Sequence, residues 1–152
     1  MSFNNRIIKL KESLGQKKLD GIYITNLTNV RYLTGFTGSA GSLLILEKTQ
    51  HFFTDGRYIS QSKDQVTNCT VHIVGGAHFR EIETKQLLSK DLNIGFESHA
   101  MTVSLFNQLK KSLNNCKWIE TSMIVEKIAA VKDVLEIESL KTAIEITDVV
   151  FD

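Results

Sequence analysis

Four histidines are the side chains of this sequence best suited to metal or acid–base chemistry: His51, His72, His78 and His99. None lies in a His-Glu-x-x-His motif, and no two are four residues apart, the spacing that places two imidazoles on one helix face around a metal ion. His51 and His72 fall on predicted strands, where a half-buried histidine is far more common than a ligand. The sequence therefore predicts no metal site built from this chain alone.

Nucleophilic side chains are present, but they lack the surroundings that activate them. Ser39 lies in a Gly-Ser-Ala-Gly run, which does not have the Gly-x-Ser-x-Gly spacing of a nucleophile elbow. Cys69 and Cys116 form no Cys-x-x-Cys motif, and we interpret both as reduced thiols. Carboxylates are plentiful but scattered, and the sequence selects no pair of them. We therefore assign no catalytic residue.

A glycine-rich segment, residues 35–41, has the pattern Gly-x-x-Gly-x-x-Gly. It is neither a dinucleotide fingerprint nor a P-loop, because no Gly-Lys-Ser/Thr follows and no helix is predicted after it. Its glycines permit positive φ and a close approach to another surface. Thr37 and Ser39 offer hydroxyl groups there, and Phe36 offers an apolar plug. The pattern leaves open whether the segment is a tight connection or a loop that faces a ligand.

The run Asp55-Gly56-Arg57-Tyr58 follows a very apolar predicted strand. One interpretation is a plain Asp-Gly turn. The other is that Arg57 holds a fixed guanidinium at a strand end, where it can bind a carboxylate through two parallel hydrogen bonds. Both remain open from the sequence.

Alternating helices and strands must position these residues. Apolar residues at helical spacing predict a first helix from Phe3 to Leu14, with Gly15 as its C-cap. Residues 42–47 and 50–55 read as strands joined by two residues, which forces an antiparallel hairpin. We predict further strands at 21–25, 70–74, 92–96 and 118–120, helices at 58–65, 80–90, 103–113 and 124–131, and one helical turn or irregular structure at 29–33. This alternation predicts an α/β fold, a three-layer α/β/α domain on a mixed sheet.

Size and charge exclude several classes of partner. The 152 residues suffice for one ordinary domain. Lys and Arg number 18 and Asp and Glu 17, a net charge of +1, so no strong field attracts nucleic acid or an anionic membrane. No apolar run approaches the roughly 20 residues that span a bilayer, and the first residues lack a signal-peptide pattern. We expect a cytoplasmic protein without a nucleic-acid or membrane partner.

The last predicted helix has a clear start and no stop. Asp133 and Glu136 fit an N-cap with an acidic third position, and an apolar stripe continues for over four turns. No glycine, proline or basic last turn follows, and Asp148 lies near the negative end of the helix dipole. We therefore expect residues 1–131 to form one domain and residues 132–152 to be a linker helix that leads into a further domain.

Three segments together resemble the N-terminal domain of aminopeptidase P and prolidase, the creatinase/prolidase family. They are Asn-Val-Arg-Tyr-Leu-Thr-Gly-Phe-Thr-Gly-Ser-Ala-Gly at 29–41, Phe-Phe-Thr-Asp-Gly-Arg-Tyr at 52–58, and residues 131–143. The last segment resembles the helix by which that family enters its catalytic domain. Each segment alone is a weak signal, but their order along most of the chain is specific.

The resemblance implies a ribonuclease-H-like α/β/α domain here, followed by a "pita-bread" catalytic domain. In the family, two Asp, one His and two Glu of that second domain hold two metal ions, usually manganese, cobalt or zinc. A metal-bridged hydroxide then attacks the peptide bond before proline. Those ligands would lie beyond Asp152, so we expect no cofactor and no activity in this chain alone.

The resemblance also implies a homodimer in which the loop near Tyr-Leu-Thr-Gly-Phe reaches the partner's active-site mouth. On this sequence, Tyr32, Phe36 and Thr37 would border the substrate pocket, while Arg57 and Tyr58 would line it or only brace the loop. The leading hypothesis is the dimerising, substrate-restricting part of a Xaa-Pro peptidase that binds proline-containing peptides. The alternatives are a non-catalytic peptide- or protein-binding module of the pita-bread superfamily, and a stand-alone enzyme, which would need a clustered acidic metal site within these residues.

Overall fold

The structure, a computed structural model, describes residues 2–151. One six-stranded sheet has the order β4-β3-β2-β1-β5-β6. The strands are β1 (Gly21–Ile24), β2 (Ser42–Leu46), β3 (Gln50–Thr54), β4 (Thr70–Ile73), β5 (Asn93–Glu97) and β6 (Lys117–Thr121). β2 runs antiparallel to both of its neighbours, and every other neighbouring pair is parallel. The predicted mixed sheet and the predicted β2–β3 hairpin are confirmed.

Helices connect the strands. They are α1 (Phe3–Gln16), α2 (Leu27–Thr34), α3 (Ile59–Gln65), α4 (His78–Thr84), α5 (Val103–Ser112), α6 (Ile124–Ala130) and α7 (Val134–Phe151), with a 3₁₀ turn at Gly56–Tyr58. Residues 29–33 lie inside α2, a full helix that is capped at both ends. Asn26 Oδ1 accepts a hydrogen bond from the Thr28 N–H at 3.0 Å, and Gly35 ends the helix with φ at 81°.

The sheet carries a hydrophobic core on each face, because successive residues of a strand point to opposite sides. Ile22 of β1 packs in a cluster with α1, α2 and α6, whereas Tyr23 packs with α4 and α5. Leu10 on α1 and Ile82 on α4 are both fully buried. Burying one such side chain stabilises the fold by about 1.5–3 kcal/mol relative to leaving it exposed. The predicted three-layer α/β/α architecture is confirmed.

The end of α1 differs from the prediction. The helix runs through Gly15 to Gln16, and the residue in the left-handed conformation is Lys18, with φ at 56°. The Leu19 N–H donates to the Leu14 carbonyl at 3.0 Å, the six-residue closure of a Schellman motif. Gly15 as the C-cap is therefore wrong, because an ordinary lysine takes the conformation for which glycine is usually selected.

The end of α4 differs in the same way. The helix stops at Thr84, so the predicted helix over residues 80–90 is too long. Gln86 has φ at 51°, and the Leu87 N–H donates to the Ile82 carbonyl at 3.1 Å. This is a second Schellman motif without glycine. The apolar residues that follow it pack on the core from a loop.

α7 begins as predicted and then leaves the domain body. Asp133 Oδ1 accepts from the Glu136 N–H at 3.1 Å, and Glu136 Oε2 accepts from the Asp133 N–H at 2.9 Å, which confirms the capping box. The eight large apolar side chains of α7 from Val134 to Val150 are 43–79% exposed. Within residues 2–151, no helix combines the length and apolarity needed to cross a membrane.

Candidate functional site at the carboxyl edge of the sheet

The predicted site residues lie near one edge of the sheet. The carboxyl ends of the five mutually parallel strands share this edge with the amino end of β2. Residues 35–41, which we call the glycine loop, lead into β2, and Asp55 to Tyr58 follow β3. Open α/β sheets bind their ligands outside the carboxyl ends of their strands. The topology therefore makes this edge the candidate site.

Phe36 anchors the glycine loop in the core. Its side chain is 1% exposed, and its ring centroid lies 4.7 Å from that of Phe52 and 5.5 Å from that of Tyr58. A Cβ atom on Gly38 would approach Tyr58 Cε1 to 2.8 Å, so the loop can pass this close only as glycine. In this domain Phe36 thus fills the protein's own interior. Its expected place at a substrate pocket stays a prediction.

Polar contacts fix the exposed part of the glycine loop. The Thr37 N–H donates to Gln65 Oε1 at 3.0 Å, and Gln61 Nε2 donates to Thr37 Oγ1 at 2.9 Å. The Ser39 hydroxyl lies 2.7 Å from the Tyr58 hydroxyl, and the Ser39 N–H donates to that same hydroxyl at 3.2 Å. These two hydrogen bonds lower the pKa of Tyr58. Tyr58 therefore braces the loop, and Thr37 keeps its exposed position.

Arg57 binds a carboxylate through two hydrogen bonds, but the carboxylate belongs to its own turn. Arg57 Nε donates to Asp55 Oδ1 at 3.0 Å, and Nη2 donates to Asp55 Oδ2 at 2.7 Å. Asp55 also accepts from the Arg57 backbone N–H, so its carboxylate caps the 3₁₀ turn. These hydrogen bonds hold the pKa of Asp55 below its usual value. The plain Asp-Gly turn and the bidentate arginine are thus one structure.

Tyr32 and Thr37 meet at an open surface depression of about 430 Å³, which Arg6 and Arg31 also line. Neither Arg57 nor Tyr58 lines it. The Arg6 guanidinium carbon lies 4.3 Å from the centroid of the Tyr32 ring, and Arg6 is engaged with acidic partners. Arg31 is exposed, and its guanidinium forms no hydrogen bond or ion pair within the part of the chain that the structure describes. The depression therefore offers one unpaired positive charge.

Sequence reasoning missed a buried carboxylate that positions α2. Glu97, at the end of β5, is 3% exposed, and burial raises its pKa. Its Oε2 accepts from the backbone N–H groups of Thr25 and Asn26 at 2.9 and 2.8 Å, and its Oε1 accepts from Asn29 Nδ2 at 2.5 Å. Glu97 therefore holds the start of the helix that carries the glycine loop at its other end. The available signal was a single carboxylate that ends an apolar strand.

The same region contains a group of metal-ligand types. Atoms of Glu97, His99 and Glu126 lie within 4.8 Å of one another. These oxygens are already used, because Glu126 Oε1 accepts from Asn29 Nδ2 at 2.7 Å and lies 3.0 Å from His99 Nε2. The group also lacks the two aspartates of the ligand set that the family resemblance implies. The described residues therefore do not fit a two-metal centre, and we assign them to the packing of α2.

Two histidine contacts were also missed. Ser42 Oγ lies 2.9 Å from His78 Nδ1, but Ser42 is 2% exposed and no substrate could reach it as a nucleophile. His51 Nδ1 and His72 Nε2 lie 3.1 Å apart across β3 and β4. Burial lowers the pKa of His51 and of His72. His51 and His72 are packed within the sheet, as their positions on strands predicted.

The fold and the site define a three-layer α/β/α domain whose reactive side chains are engaged in its own packing. The creatinase/prolidase N-terminal domain family matches residues 6–131 of the sequence. That match covers most of the chain. The chain belongs to the creatinase/prolidase N-terminal domain family, as its three sequence segments indicated.

Relatives of this chain are peptidases. It is 34% identical over 146 residues to the "uncharacterized peptidase YqhT" of Bacillus subtilis, covering 96% of this chain and 41% of that protein. The structure of a Xaa-Pro dipeptidase from Bacillus anthracis matches 99% of this chain and 42% of its own, with 33% identity and a TM-score of 0.89. The N-terminal domain of the cytoplasmic peptidase PepQ from Mycobacterium tuberculosis matches at 33% identity over 82% of this chain and 98% of its own, with a TM-score of 0.73. The chain spans about two fifths of the first two proteins.

Proposed function

We propose that this chain is the non-catalytic N-terminal domain of a metal-dependent Xaa-Pro peptidase, either a prolidase or an aminopeptidase P. In the whole protein, residues 1–131 pair two subunits and restrict the substrate pocket, and residues 132–152 link them to the catalytic domain. That second domain holds the two divalent metal ions and hydrolyses the peptide bond before proline. A cytoplasmic location is part of the proposal, and the name of the PepQ relative supports it.

The exposed apolar surface of α7 carries this proposal. The large apolar side chains of α7 from Val134 to Val150, including Leu140 and Ile144, are 43–79% exposed. A helix that is apolar on several sides is normally buried, because apolar surface left in water costs about 25 cal/mol per Å². The relatives that this chain spans only in part have more than half of their length left for a further domain. We infer that α7 packs against that domain in the peptidase.

The accessible residues of the depression support the role in substrate restriction. Tyr32 and Thr37 stand beside it, and Arg31 supplies a free guanidinium that could attract a peptide carboxylate. Phe36 and Tyr58 hold the loop from behind through ring contacts and the Ser39 hydrogen bond. We propose that Tyr32 and Thr37 border the pocket, that Phe36 anchors the loop that forms its wall, and that Tyr58, with Arg57 packed on its ring, braces that loop.

Peptide hydrolysis tests the proposal directly. The full-length polypeptide that contains this chain, supplied with Mn²⁺, is expected to cleave Xaa-Pro peptides, whereas the 152-residue chain is expected to be inert. The two forms are compared at equal molar concentration by release of free proline or of the N-terminal residue. Specific peptide binding by the full-length protein without any hydrolysis would instead support the non-catalytic binding module. Hydrolysis by the 152-residue chain alone would contradict the division into two domains.

A second experiment tests substrate restriction and pairing. In the full-length protein, Thr37→Ala and Tyr32→Ala are expected to change the ratio of kcat/KM for longer Xaa-Pro peptides to that for dipeptides. Ser60→Ala, at an exposed position of α3, is the matched control and should leave the ratio unchanged.

Sedimentation equilibrium of the full-length protein and of the 152-residue chain measures dimerisation. Equal ratios in all variants, or a monomer at all concentrations, would contradict the corresponding part of the proposal.

A further inference from the structure

One arginine joins three helices at the point where α7 leaves the domain. Arg6, on α1, is 12% exposed at its side chain. Its Nη1 donates to the Tyr32 carbonyl at 2.7 Å, and its guanidinium carbon lies over the Tyr32 ring. Its Nη2 lies 3.5 Å from Asp133 Oδ2 and 3.2 Å from Glu136 Oε1. The end of α2 and the start of α7 are therefore bound to the same guanidinium.

Arg6 binds polar groups at two helix ends, the carbonyl end of α2 and the capping box of α7. The Tyr32 carbonyl belongs to the last turn of α2, where carbonyls lack an intrahelical partner and a cation is favoured by the helix dipole. Asp133 and Glu136 form the capping box of α7, and their remaining oxygens face Arg6. Arginine suits this place because its planar fork can donate in several fixed directions at once.

Within residues 2–151, few polar contacts connect α7 with the rest of the domain. Among the described residues, Glu136 is the one member of α7 that forms a hydrogen bond or ion pair with an element before residue 132. An open depression of about 490 Å³, lined by Arg6, Leu135 and Leu140 among others, lies along α7 from its first turn onward. The direction of α7 therefore depends on its first turn.

We propose that Arg6 is a positioning residue: it locks the capping box of α7 to the end of α2, so that α7 leaves the domain in one fixed direction relative to the glycine loop. Partly buried ion pairs contribute little net stability, because desolvation offsets their attraction, but they can specify a unique geometry. This contact lies within the chain itself, so the proposed positioning role does not depend on what activity the whole protein has. Its consequence for catalysis, that the catalytic domain is set at a fixed angle to the glycine loop, rests on the proposed function.

Double electron–electron resonance spectroscopy on the 152-residue chain tests whether the contact of Arg6 with Asp133 and Glu136 fixes the direction of α7. Spin labels are placed at Glu138→Cys on α7 and Lys48→Cys in the β2–β3 turn, both exposed, in a Cys69→Ala, Cys116→Ala background. The labelled chain in which Arg6, Asp133 and Glu136 are unchanged should give one narrow peak in the distance distribution between the two labels. Arg6→Met, which keeps length and helix propensity but removes the fork, should abolish that peak and give a broad distribution. Arg31→Gln, which removes an unpaired guanidinium, is the matched control and should keep the narrow peak.

A second variant separates positioning from folding. Asp133→Asn with Glu136→Gln removes both charges, while the amide side chains can still cap α7. It should broaden the distance distribution as Arg6→Met does. Hydrogen exchange should then distinguish the contact of Arg6 with α2 from its contact with α7. Arg6→Met should accelerate exchange at the Gly35 N–H, which donates to the Arg31 carbonyl at the end of α2. The double variant should leave that exchange rate unchanged. A narrow peak in the double variant, with the domain folded by circular dichroism, would overturn the proposal. Loss of peptidase activity plays no part in this readout.

Discussion

The first and the last helix of this domain are similar in length, but the first buries an apolar face and the large apolar side chains of the last are exposed. α1 has 14 residues and buries Ile7, Leu10 and Leu14 against the sheet. α7 has 18 residues, and its large apolar side chains up to Val150 remain exposed. Both begin with a side-chain cap, so local helix signals are alike. The apolar face of α1 is therefore buried within its own domain, whereas α7 carries an apolar surface that this domain does not cover.

Replacing one leucine in each helix should give the greatest difference in stability between the two helices. Leu10→Ala should lower the free energy of unfolding by about 2–5 kcal/mol, because a fully buried side chain leaves a cavity in a packed core. Leu140→Ala, at a position 51% exposed, should change it by no more than about 0.5 kcal/mol. Urea unfolding followed by the fluorescence of Trp118, the single tryptophan, measures both. A comparable loss in Leu140→Ala would show that α7 is packed within this chain after all.

A backbone change tests how tightly α1 is locked to its neighbour. Gly35 has φ at +81°, and a Cβ there would come within 2.7 Å of Phe3 Cζ at the start of α1. Gly35→Ala should therefore destabilise the domain by about 1–2 kcal/mol, the strain of a left-handed residue with a side chain. Gly56→Ala is the control, because its Cβ would meet open space. Equal unfolding midpoints for the two variants would contradict the strain expected at this junction.

Between pH 7.5 and 5.5, acid should act mainly on the body of the domain, because α7 contains no histidine. Burial lowers the pKa of His51, His72 and His78 from the ordinary 6.5. The unfolded chain then binds protons that the folded chain does not, so stability is complete above about pH 6.5 and falls as the pH drops through that value. The urea midpoint, measured by Trp118 fluorescence from pH 7.5 to 5.5, should decrease.

The variant His72→Gln isolates the histidine contribution to this pH dependence. It removes one of the three imidazoles whose pKa is lowered, and the amide can still form a hydrogen bond to His51. The urea midpoint of the variant should therefore fall less between pH 7.5 and 5.5 than that of the unchanged chain. An identical pH dependence in the two proteins would exclude the paired histidines as its source.

The features of this fold that are local in sequence could be predicted, and those made by distant partners could not. The apolar stripe of α1, the β2–β3 hairpin and the capping box at Asp133 each lie within a few residues, and periodicity or turn length determines them. The ends of α1 and α4 were missed because Lys18 and Gln86 adopt positive φ, a conformation for which sequence patterns expect glycine. Local energetics alone do not select a lysine there.

The candidate site shows the same limit. The positions of Tyr32, Thr37 and Tyr58 near one edge follow from the sequence segments that indicated the family. The hold of Glu97 on α2 joins residues about 70 positions apart, through the parallel pairing of β1 and β5. The His51–His72 contact likewise depends on β3 and β4 being neighbours. Such contacts are consequences of topology, and no spacing rule in the sequence encodes them.

The smallest expected effect tests whether α7 belongs to the cooperative unit that includes α1. Gly15 lies within α1, and an added Cβ there would meet nothing within 4 Å. Gly15→Ala should therefore stabilise the domain by about 0.5–1 kcal/mol, the cost of glycine in a helix interior. Thr147→Ala makes a favourable propensity change of similar kind in α7. It should raise the helical circular dichroism signal and leave the global unfolding midpoint unchanged, because an uncovered helix frays below the global transition.

The two variants must be followed by two probes, since Trp118 fluorescence reports the body and circular dichroism at 222 nm reports all helices together. In the 152-residue chain the two transitions should not coincide, the circular dichroism signal showing an early loss from α7. Adding the catalytic domain of the proposed peptidase should cover α7, bring the transitions together and let Thr147→Ala act on the midpoint as Gly15→Ala does. If Thr147→Ala already shifts the midpoint of the 152-residue chain, α7 is part of the domain's own cooperative fold, and its exposed apolar surface no longer argues for a missing partner.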